Sequence, residues 1–167
     1  MNNIPKIPTI FLDRDGVLNN NSELYYTTKK EDFVWVDGVF ENLRALISAG
    51  YQLVIISNQG GVAKGNFSIE ELNELNAWIY KTLIGQKIEI KAIYCCPHHN
   101  HVGNCFCRKP KSLFIERAIH RYHVDVNRSV MIGDSQRDIG AAEMVGVKGI
   151  LVEANKNWKN SIEQLLK

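Results

Sequence analysis

An apolar segment that ends in two closely spaced aspartates is the feature that most constrains this chain. Residues 8–12 are short, apolar and partly β-branched, which predicts a buried strand, and Asp13-Arg14-Asp15-Gly16 follows directly. Binding sites of open α/β sheets lie at the carboxyl ends of strands. Because residues two apart in an extended chain point the same way, Asp13 and Asp15 can converge on one spot. One carboxylate could then act as a nucleophile while the other transfers a proton; the alternative is a pair of solvated aspartates.

Strand and helix patterns alternate along the rest of the chain. Further buried strands are predicted at 51–56, 88–94, 129–132 and 147–152. Helices are predicted at 37–50, 68–84, 112–122, 138–145 and 158–166, the second of them with a capping box at its start. This order predicts an α/β fold, a Rossmann-like parallel sheet with helices on both faces. Residues 19–37 have no clear period, and we expect an ordered loop that can include a small hairpin and lies over the end of the first strand.

Composition and charge exclude several classes of function. The chain has 167 residues, of which 45% are hydrophobic and 23% charged, and its formal net charge is +2. These values predict one soluble domain over residues 1–167, and the low charge gives no electrostatic support for nucleic-acid binding. Residues 1–8 form a polar lead-in without the apolar stretch of a signal peptide, and no apolar run is long enough to cross a membrane. We expect a monomeric protein without nucleic-acid or membrane partners.

Polar residues stand at the ends of several predicted strands. Asp13 and Asp15 follow the first, Ser57-Asn58 the second and Asp134 the fourth, while Lys109 comes after the third. Phosphoryl transfer needs such a set: a carboxylate nucleophile, a divalent cation and a lysine that neutralise phosphate charge, and small donors for the equatorial oxygens. Asp13 and Asp134 offer the hard oxygen ligands that magnesium prefers. Taken singly, each feature has an ordinary alternative, such as a turn, a helix N-cap or a surface charge.

A second group of possible ligands occupies residues 95–107, which we call the Cys–His loop. Structural zinc is bound tetrahedrally by four cysteine or histidine ligands. Cys96 and His98 are two residues apart, as are Cys105 and Cys107, so each pair can present two ligands on one side. Four protein ligands leave no open position, which predicts a structural zinc rather than a catalytic one. The alternative is a set of reduced cysteines without metal.

Other residues of the Cys–His loop are weaker candidates. Cys95 is expected to point to the other side of its strand as a buried thiol, and His99 and His101 are spare ligands or solvated side chains. The clustering of all four cysteines beside histidines favours metal binding over a disulfide framework and predicts a reducing cytoplasm. Since Arg108-Lys109 follows the loop at once, zinc would fix the backbone that carries both cations.

Together these motifs resemble those of the haloacid dehalogenase-superfamily phosphatases. Four motifs occur in order over about residues 8–152: Asp13-Arg14-Asp15-Gly16, Ser57-Asn58, Arg108-Lys109-Pro110 and Gly133-Asp134-Ser135-x-x-Asp138. Within the superfamily, the sequence is similar to the family of D-glycero-D-manno-heptose 1,7-bisphosphate 7-phosphatases and histidinol-phosphatase domains. Residues 32–39 and 57–65 resemble the heptose enzymes, whereas the Cys–His loop is shorter than in many of them and closer to the histidinol type.

The resemblance implies roles for the carboxylates and the metal ligands. Asp13 would be the nucleophile that becomes an aspartyl phosphate, and Asp15 the general acid that later activates water as a base. Magnesium would be held by Asp13, by the backbone carbonyl of Asp15 and by Asp134. The positions of Cys96, His98, Cys105 and Cys107 match the zinc ligands of the family.

The resemblance also implies roles for the residues around the phosphate. Ser57 and Lys109 would stabilise the transferred phosphoryl group, Asn58 would help to bind substrate, and Arg108 would contribute to substrate recognition. Asp138 is expected close to Asp134, in the shell around the metal ligands.

No insertion of domain size follows either of the first two motifs, so the resemblance implies a phosphatase without a cap domain. Its site would be open to a small phosphosugar and bounded by residues 19–35 and the Cys–His loop. The expected reaction is magnesium-dependent removal of the 7-phosphate from D-glycero-D-manno-heptose 1,7-bisphosphate. The alternatives are a histidinol-phosphate phosphatase and, in another class, a non-catalytic zinc-containing binding module. The joint presence of Asp13, Asp15 and Lys109 argues against the latter, because binding alone needs no nucleophile and acid.

Overall fold

A parallel sheet of five strands forms the centre of the protein. The computed structural model describes residues 5–167, so residues 1–4 of the predicted lead-in lie outside the described part. The strands are β1 (Thr9–Leu12), β2 (Asn19–Asn20), β3 (Val34–Trp35), β4 (Gln52–Asn58), β5 (Ala92–Cys96), β6 (Val130–Gly133) and β7 (Lys148–Leu151). Five of them form the main sheet in the order β5-β4-β1-β6-β7, with every neighbouring pair parallel. The other two, β2 and β3, form a small antiparallel pair.

A helix lies between each successive pair of strands of the main sheet. They are α1 (Val39–Ser48), α2 (Ile69–Gly85), α3 (Leu113–Arg121), α4 (Gln136–Glu143) and α5 (Lys159–Ile162). Single 3-10 turns occur at Lys30–Asp32, Val126–Arg128 and Glu163–Leu165. The predicted capping box begins α2, where Ser68 accepts from the Glu71 N–H at 3.1 Å and the Ser68 N–H donates to the Glu71 carboxylate at 2.7 Å. Two otherwise unpaired helix donors are thereby satisfied.

Two buried clusters, one on each face of the sheet, form the core. Successive strand residues point to opposite faces, and β1 follows this rule. Leu12 packs in one cluster with Leu43 of α1 and Ile79 of α2. Its neighbour Phe11 packs in the other, where Ile115 of α3 lies. Since all of β1 is buried, this strand fixes the position of whatever follows it.

The register brings the carboxyl ends of β1, β4 and β6 side by side. Leu12 lies opposite Ile55 of β4 and Ile132 of β6, and the N–H of Asp13 donates to the carbonyl of Ile132 at 3.0 Å. The chain builds the sheet outward from β1 on one side and returns to add β6 and β7 on the other. Ligands of open α/β sheets bind at such a reversal of strand order. The polar residues at these three strand ends therefore meet at one edge.

The predicted fold class is confirmed, with differences at several element boundaries, two of which are informative. The strand predicted at 88–94 runs instead over Ala92–Cys96, although Ile88 and Ile90 are buried. An apolar pattern reports burial, and burial here comes from packing in the cluster that also contains Leu12 and not from strand pairing. Helix α4 begins at Gln136, two residues before the predicted start, because Ser135 acts as its N-cap. Across residues 5–167, every helix falls short of the length or the apolar character needed to cross a bilayer.

Candidate active site

A polar cavity of about 160 Å3 opens at the carboxyl edge of the sheet. Every residue predicted to contact magnesium or substrate lines it: Asp13, Asp15, Ser57, Asn58, Arg108, Lys109 and Asp134. Asn21, Tyr25 and Tyr26 also line it, so residues 19–35 form one wall, as expected from their position after β1. The structure thus brings together side chains that lie up to 121 positions apart in a chain of 167 residues, counting from Asp13 to Asp134.

Lys109 is the buried cation of the cavity. Its ammonium lies 2.8 Å from Asp13 Oδ1 and 2.7 Å from Asp138 Oδ1, and it donates to the carbonyl of Ile56 at 2.6 Å. The side chain is only 2% exposed, so water contributes little to its solvation. Burial acts to lower the pKa of Lys109, but the two carboxylates outweigh burial and raise it above its usual value. Lys109 therefore stays charged beside the carboxylate of Asp13.

Three carboxyl groups lie close together in the cavity, and two of them, Asp13 and Asp138, contact this ammonium. Oxygens of Asp13, Asp134 and Asp138 lie within 4.8 Å of one another. Burial raises the pKa of Asp13 to about 7, with Asp138 adding to the shift and Lys109 opposing it. Burial also raises the pKa of Asp134, again with a contribution from Asp138. A second cation would relieve this excess of buried negative charge, and oxygen donors of this kind suit magnesium.

Asp138 is already committed within this group. One of its oxygens holds Lys109, and the other accepts the N–H of Ser135 at 3.0 Å and so caps α4. The carboxylates of Asp13 and Asp134 are therefore the better donors for a metal ion. Sequence reasoning placed Asp138 near Asp134; its direct ion pair with Lys109 was not foreseen.

Gly16 allows Asp134 to approach the turn after β1. Its φ is +84°, a backbone conformation that residues with a Cβ rarely adopt. A Cβ at this position would lie 2.0 Å from Oδ2 of Asp134, far closer than any real contact. Glycine is required here for two reasons, the backbone conformation and the space taken by a predicted metal ligand.

Asp15 is held by two residues that sequence reasoning did not single out. The guanidinium of Arg14 is fully buried and donates to Asp15 Oδ1 through Nη2 at 2.8 Å and Nε at 3.1 Å. The Nε2 of Gln59 donates to Asp15 Oδ2 at 2.6 Å and to Ser57 Oγ at 2.8 Å. A signal for Gln59 was present, because it lies two positions after Ser57 at the end of β4.

Asn58 connects the end of β4 to the segment that carries Lys109. Its Nδ2 donates to the Lys109 carbonyl at 3.0 Å, and its Oδ1 accepts the Lys109 N–H at 3.0 Å. Both polar atoms of the amide are thus used by one backbone unit. Asn58 also lines the cavity, and its contacts place the lysine.

The four predicted zinc ligands lie together beside the cavity. The Cys96 sulfur lies 3.1 Å from Cys107 Sγ and 3.7 Å from Cys105 Sγ, and His98 Nδ1 lies 3.3 Å from Cys107 Sγ. In a zinc–thiolate tetrahedron with bonds of about 2.3 Å, neighbouring ligand atoms are about 3.8 Å apart. The donor types and spacings fit zinc, with a slight expansion on binding.

The remaining candidates of the Cys–His loop lie outside this cluster. Cys95 is half-buried, its sulfur is 3.4 Å from the Nδ2 of Asn76, and burial raises the pKa of its thiol. The N–H of His101 donates to the imidazole of His99, and neither belongs to the ligand group. The loop instead supports Arg108, whose Nη1 donates to the His98 carbonyl at 3.0 Å at the rim of the cavity.

Comparison with known proteins places this geometry in a class. A family model described as HAD-hydrolase-like matches residues 106–165. A crystal structure of D,D-heptose 1,7-bisphosphate phosphatase from B. bronchiseptica, complexed with magnesium and phosphate, superimposes with a TM-score of 0.80. It is 31% identical and covers 95% of this chain and 87% of its own. The fold is that of a haloacid dehalogenase-like hydrolase.

Curated relatives narrow the assignment. D-glycero-beta-D-manno-heptose-1,7-bisphosphate 7-phosphatase from Haemophilus influenzae is 39% identical over 153 residues, which cover 88% of this chain and 82% of that protein. D-glycero-alpha-D-manno-heptose-1,7-bisphosphate 7-phosphatase from Photorhabdus laumondii is 36% identical over 148 residues, which cover 85% of this chain and 80% of that protein. The chain belongs to the family of heptose 1,7-bisphosphate 7-phosphatases within these hydrolases.

Replacing Gly16 by alanine tests whether the approach of Asp134 matters. We expect Gly16→Ala to lower kcat/KM for an aryl phosphate by about 10²-fold, because a misplaced catalytic group has an effect of this order. Gly50→Ala is the matched control, since Gly50 has a φ of +89° but no atom within 4 Å of its would-be Cβ. The control should lose about 1–2 kcal/mol of unfolding free energy and keep its activity. Equal activity in both variants would contradict a special role for the Gly16–Asp134 contact.

Proposed function

We propose that this chain is a magnesium-dependent phosphatase that removes the 7-phosphate from D-glycero-D-manno-heptose 1,7-bisphosphate. The observation that carries the proposal is the convergence of Asp13, Asp134 and the buried Lys109 in one polar cavity. The relatives named above carry this activity in their names, and the B. bronchiseptica enzyme was crystallised with magnesium and phosphate. Because relatives of both anomeric types are similar to this chain, the proposal covers both anomers.

Magnesium would be held by Asp13, by the backbone carbonyl of Asp15 and by Asp134, and when bound it would neutralise charge on the phosphate. Asp13 would attack phosphorus through a carboxylate oxygen to form an aspartyl phosphate. Lys109, fixed by Asp138 and the carbonyl of Ile56, keeps its positive charge next to the attacking group. The hydroxyl of Ser57 would donate to an oxygen of the transferred phosphoryl group.

Asp15 would manage the protons of both half-reactions. As the bond between phosphorus and the sugar oxygen breaks, the carboxylic acid of Asp15 would protonate that oxygen. Its carboxylate would then take a proton from the water that attacks the aspartyl phosphate, which restores Asp13 and releases phosphate. Asp15 lines the cavity, and Arg14 and Gln59 donate hydrogen bonds to its carboxylate.

Substrate recognition would depend on the rim, because no large segment is inserted near the site. Residues 13–38 separate β1 from α1, and they hold only the β2–β3 pair and one 3-10 turn; residues 59–68 separate β4 from α2. We propose a single domain without a cap. Arg108 at the rim offers a planar, permanently charged fork that suits the second phosphate of a bisphosphate. Histidinol phosphate carries an amine instead, which Arg108 would repel.

None of the four cysteines of the described residues forms a disulfide. This agrees with a protein that works in a reducing compartment, which we propose to be the cytoplasm. We further propose that it acts as a monomer on a small soluble phosphosugar, since every catalytic group named above comes from one chain.

A turnover panel tests the function directly. We expect magnesium-dependent phosphate release from heptose 1,7-bisphosphate with a kcat/KM well above that for histidinol phosphate and unrelated phosphosugars. Asp13→Asn should be inactive on all of them while unfolding at a similar temperature, because its amide fills the same volume but cannot attack phosphorus. Near-normal turnover by purified Asp13→Asn would rule out the covalent mechanism, and a preference for histidinol phosphate would rule out the proposed substrate.

Replacing Arg108 by alanine tests substrate recognition. We expect kcat/KM for the bisphosphate to fall roughly 10–150-fold, as a charge-assisted hydrogen bond contributes about 1.5–3 kcal/mol. The value for a small aryl monophosphate should change far less, since that substrate has no distal phosphate. Arg44→Ala, at an exposed arginine on α1, is the control for a general change in charge. An equal loss of kcat/KM with both substrates would indicate that Arg108 contacts the transferred phosphate and not the distal one.

Zinc should control stability, whereas magnesium should control rate. We propose that Cys96, His98, Cys105 and Cys107 bind one zinc ion per chain, and closed thiolate sites contribute folding energy. Cys105→Ser should lower the melting temperature and the zinc content measured by elemental analysis. Cys95→Ser, at the cysteine outside the ligand group, should keep both. Protein prepared without chelators that contained no zinc would contradict this proposal.

A further inference from the structure

Gln59 bridges two groups of the site without lining the cavity itself. It follows the last residue of β4 and is 1% exposed. Its Nε2 lies 2.6 Å from Asp15 Oδ2 and 2.8 Å from Ser57 Oγ. The amide nitrogen of Gln59 is the atom that suits the carboxylate form of Asp15, because a carboxylate can only accept hydrogen bonds. The two N–H groups of this nitrogen are thus divided between Asp15 and Ser57.

The bridge determines where the hydroxyl of Ser57 can donate. A serine hydroxyl has one O–H donor and two acceptor lone pairs. Since Ser57 Oγ accepts from Gln59, one lone pair is used and the O–H remains available. Ser57 lines the cavity, so its hydrogen can be directed to an oxygen of a bound phosphoryl group. Gln59 keeps this hydroxyl in its role as a donor.

The same bridge limits the movement of Asp15. The buried guanidinium of Arg14 donates to both oxygens of Asp15, with Nη2 2.8 Å from Oδ1 and 3.1 Å from Oδ2, and Gln59 adds the shortest contact to Oδ2, at 2.6 Å. Nη2 of Arg14 also donates to the carbonyl of Thr27 at 3.2 Å, which anchors the arginine in turn. A carboxyl group held on both oxygens has little freedom to rotate. Proton transfer depends on such positioning, because the donor must lie within hydrogen-bond reach of the leaving oxygen.

We propose that Gln59 is a positioning residue that aligns Asp15 and Ser57 on the same phosphoryl group; this inference rests on the proposed phosphatase function. In the step concerned, the bond from Asp13 to phosphorus forms as the bond from phosphorus to the leaving oxygen breaks. The proton of the Asp15 carboxyl group moves to that oxygen, and a carboxylate remains on Asp15. The donors of Gln59 and Arg14 are already in place to stabilise this carboxylate.

A series of aryl phosphates with leaving groups of different pKa separates this role from a structural one. A phenol of low pKa leaves as the phenolate and needs little protonation, whereas one of high pKa needs the proton of Asp15. In Gln59→Leu, kcat/KM at saturating magnesium should fall slightly for the best leaving groups and by up to about 10²-fold for the poorest. The plot of log kcat/KM against leaving-group pKa should therefore become steeper.

Two variants make the test specific. Gln52→Leu removes another buried glutamine from the opposite end of β4, where its Nε2 donates to Thr9 Oγ1 and the Tyr122 carbonyl; it should keep the wild-type slope. Ser57→Ala should lower kcat/KM by a similar factor for every substrate, because the phosphoryl group is common to the series. Gln59→Met provides a second apolar replacement if Gln59→Leu folds poorly, as judged by thermal unfolding.

A steeper slope in Gln59→Leu or Gln59→Met, with the Gln52→Leu slope unchanged, is the expected result. An unchanged slope, with or without a uniform loss of rate, would overturn the positioning of Asp15. A wild-type enzyme that hydrolysed no member of the series would instead overturn the proposed phosphatase function, which keeps the two failures distinct.

Discussion

The buried ion pairs of Lys109 are the interaction on which the site depends. Its ammonium is shared by Asp13 and Asp138 and is shielded from water, so it offsets the cost of burying these carboxylates. Removing the ammonium of such a group typically costs about 3–5 kcal/mol because uncompensated negative charge remains, whereas Lys109 keeps one partner when Asp13 is neutralised. The pairs also join three parts of the chain, the end of β1, the first turn of α4 and the segment after the Cys–His loop. At this edge of the sheet, the same ion pairs therefore neutralise buried charge and hold separate parts of the chain together.

Much of the fold and the site could be predicted, because the signals were local. The apolar strands, the polar residues at their ends and the spacing of Cys96, His98, Cys105 and Cys107 are visible within short windows of sequence. A parallel sheet then brings the strand ends together, whatever the details of packing. The structure places these predicted residues as two groups, one around the cavity and one beside it.

The rest could not be predicted, because it depends on which side chains meet across the fold. Arg14 stands between two aspartates, and no pattern says that its guanidinium is fully buried against the second of them. The ion pair of Asp138 with Lys109 joins residues 29 positions apart, counted from 109 to 138, whose contact needs the final packing of α4. The apolar residues Ile88 and Ile90 predicted a strand, although they are buried without joining the sheet.

Arg108 and Lys109 are neighbours in the chain but are anchored to different supports. The side chain of Arg108 is held by the carbonyl of His98 in the Cys–His loop, whereas the backbone of Lys109 is fastened on both sides to Asn58 at the end of β4. One peptide bond thus separates a residue tied to a surface loop from one tied to the central sheet. Changes in the length or the side chains of that loop could alter the preference among phosphate esters, while Lys109 kept its position beside Asp13. The groups that act on the reacting phosphate and the groups at the rim of the cavity therefore depend on different parts of the structure.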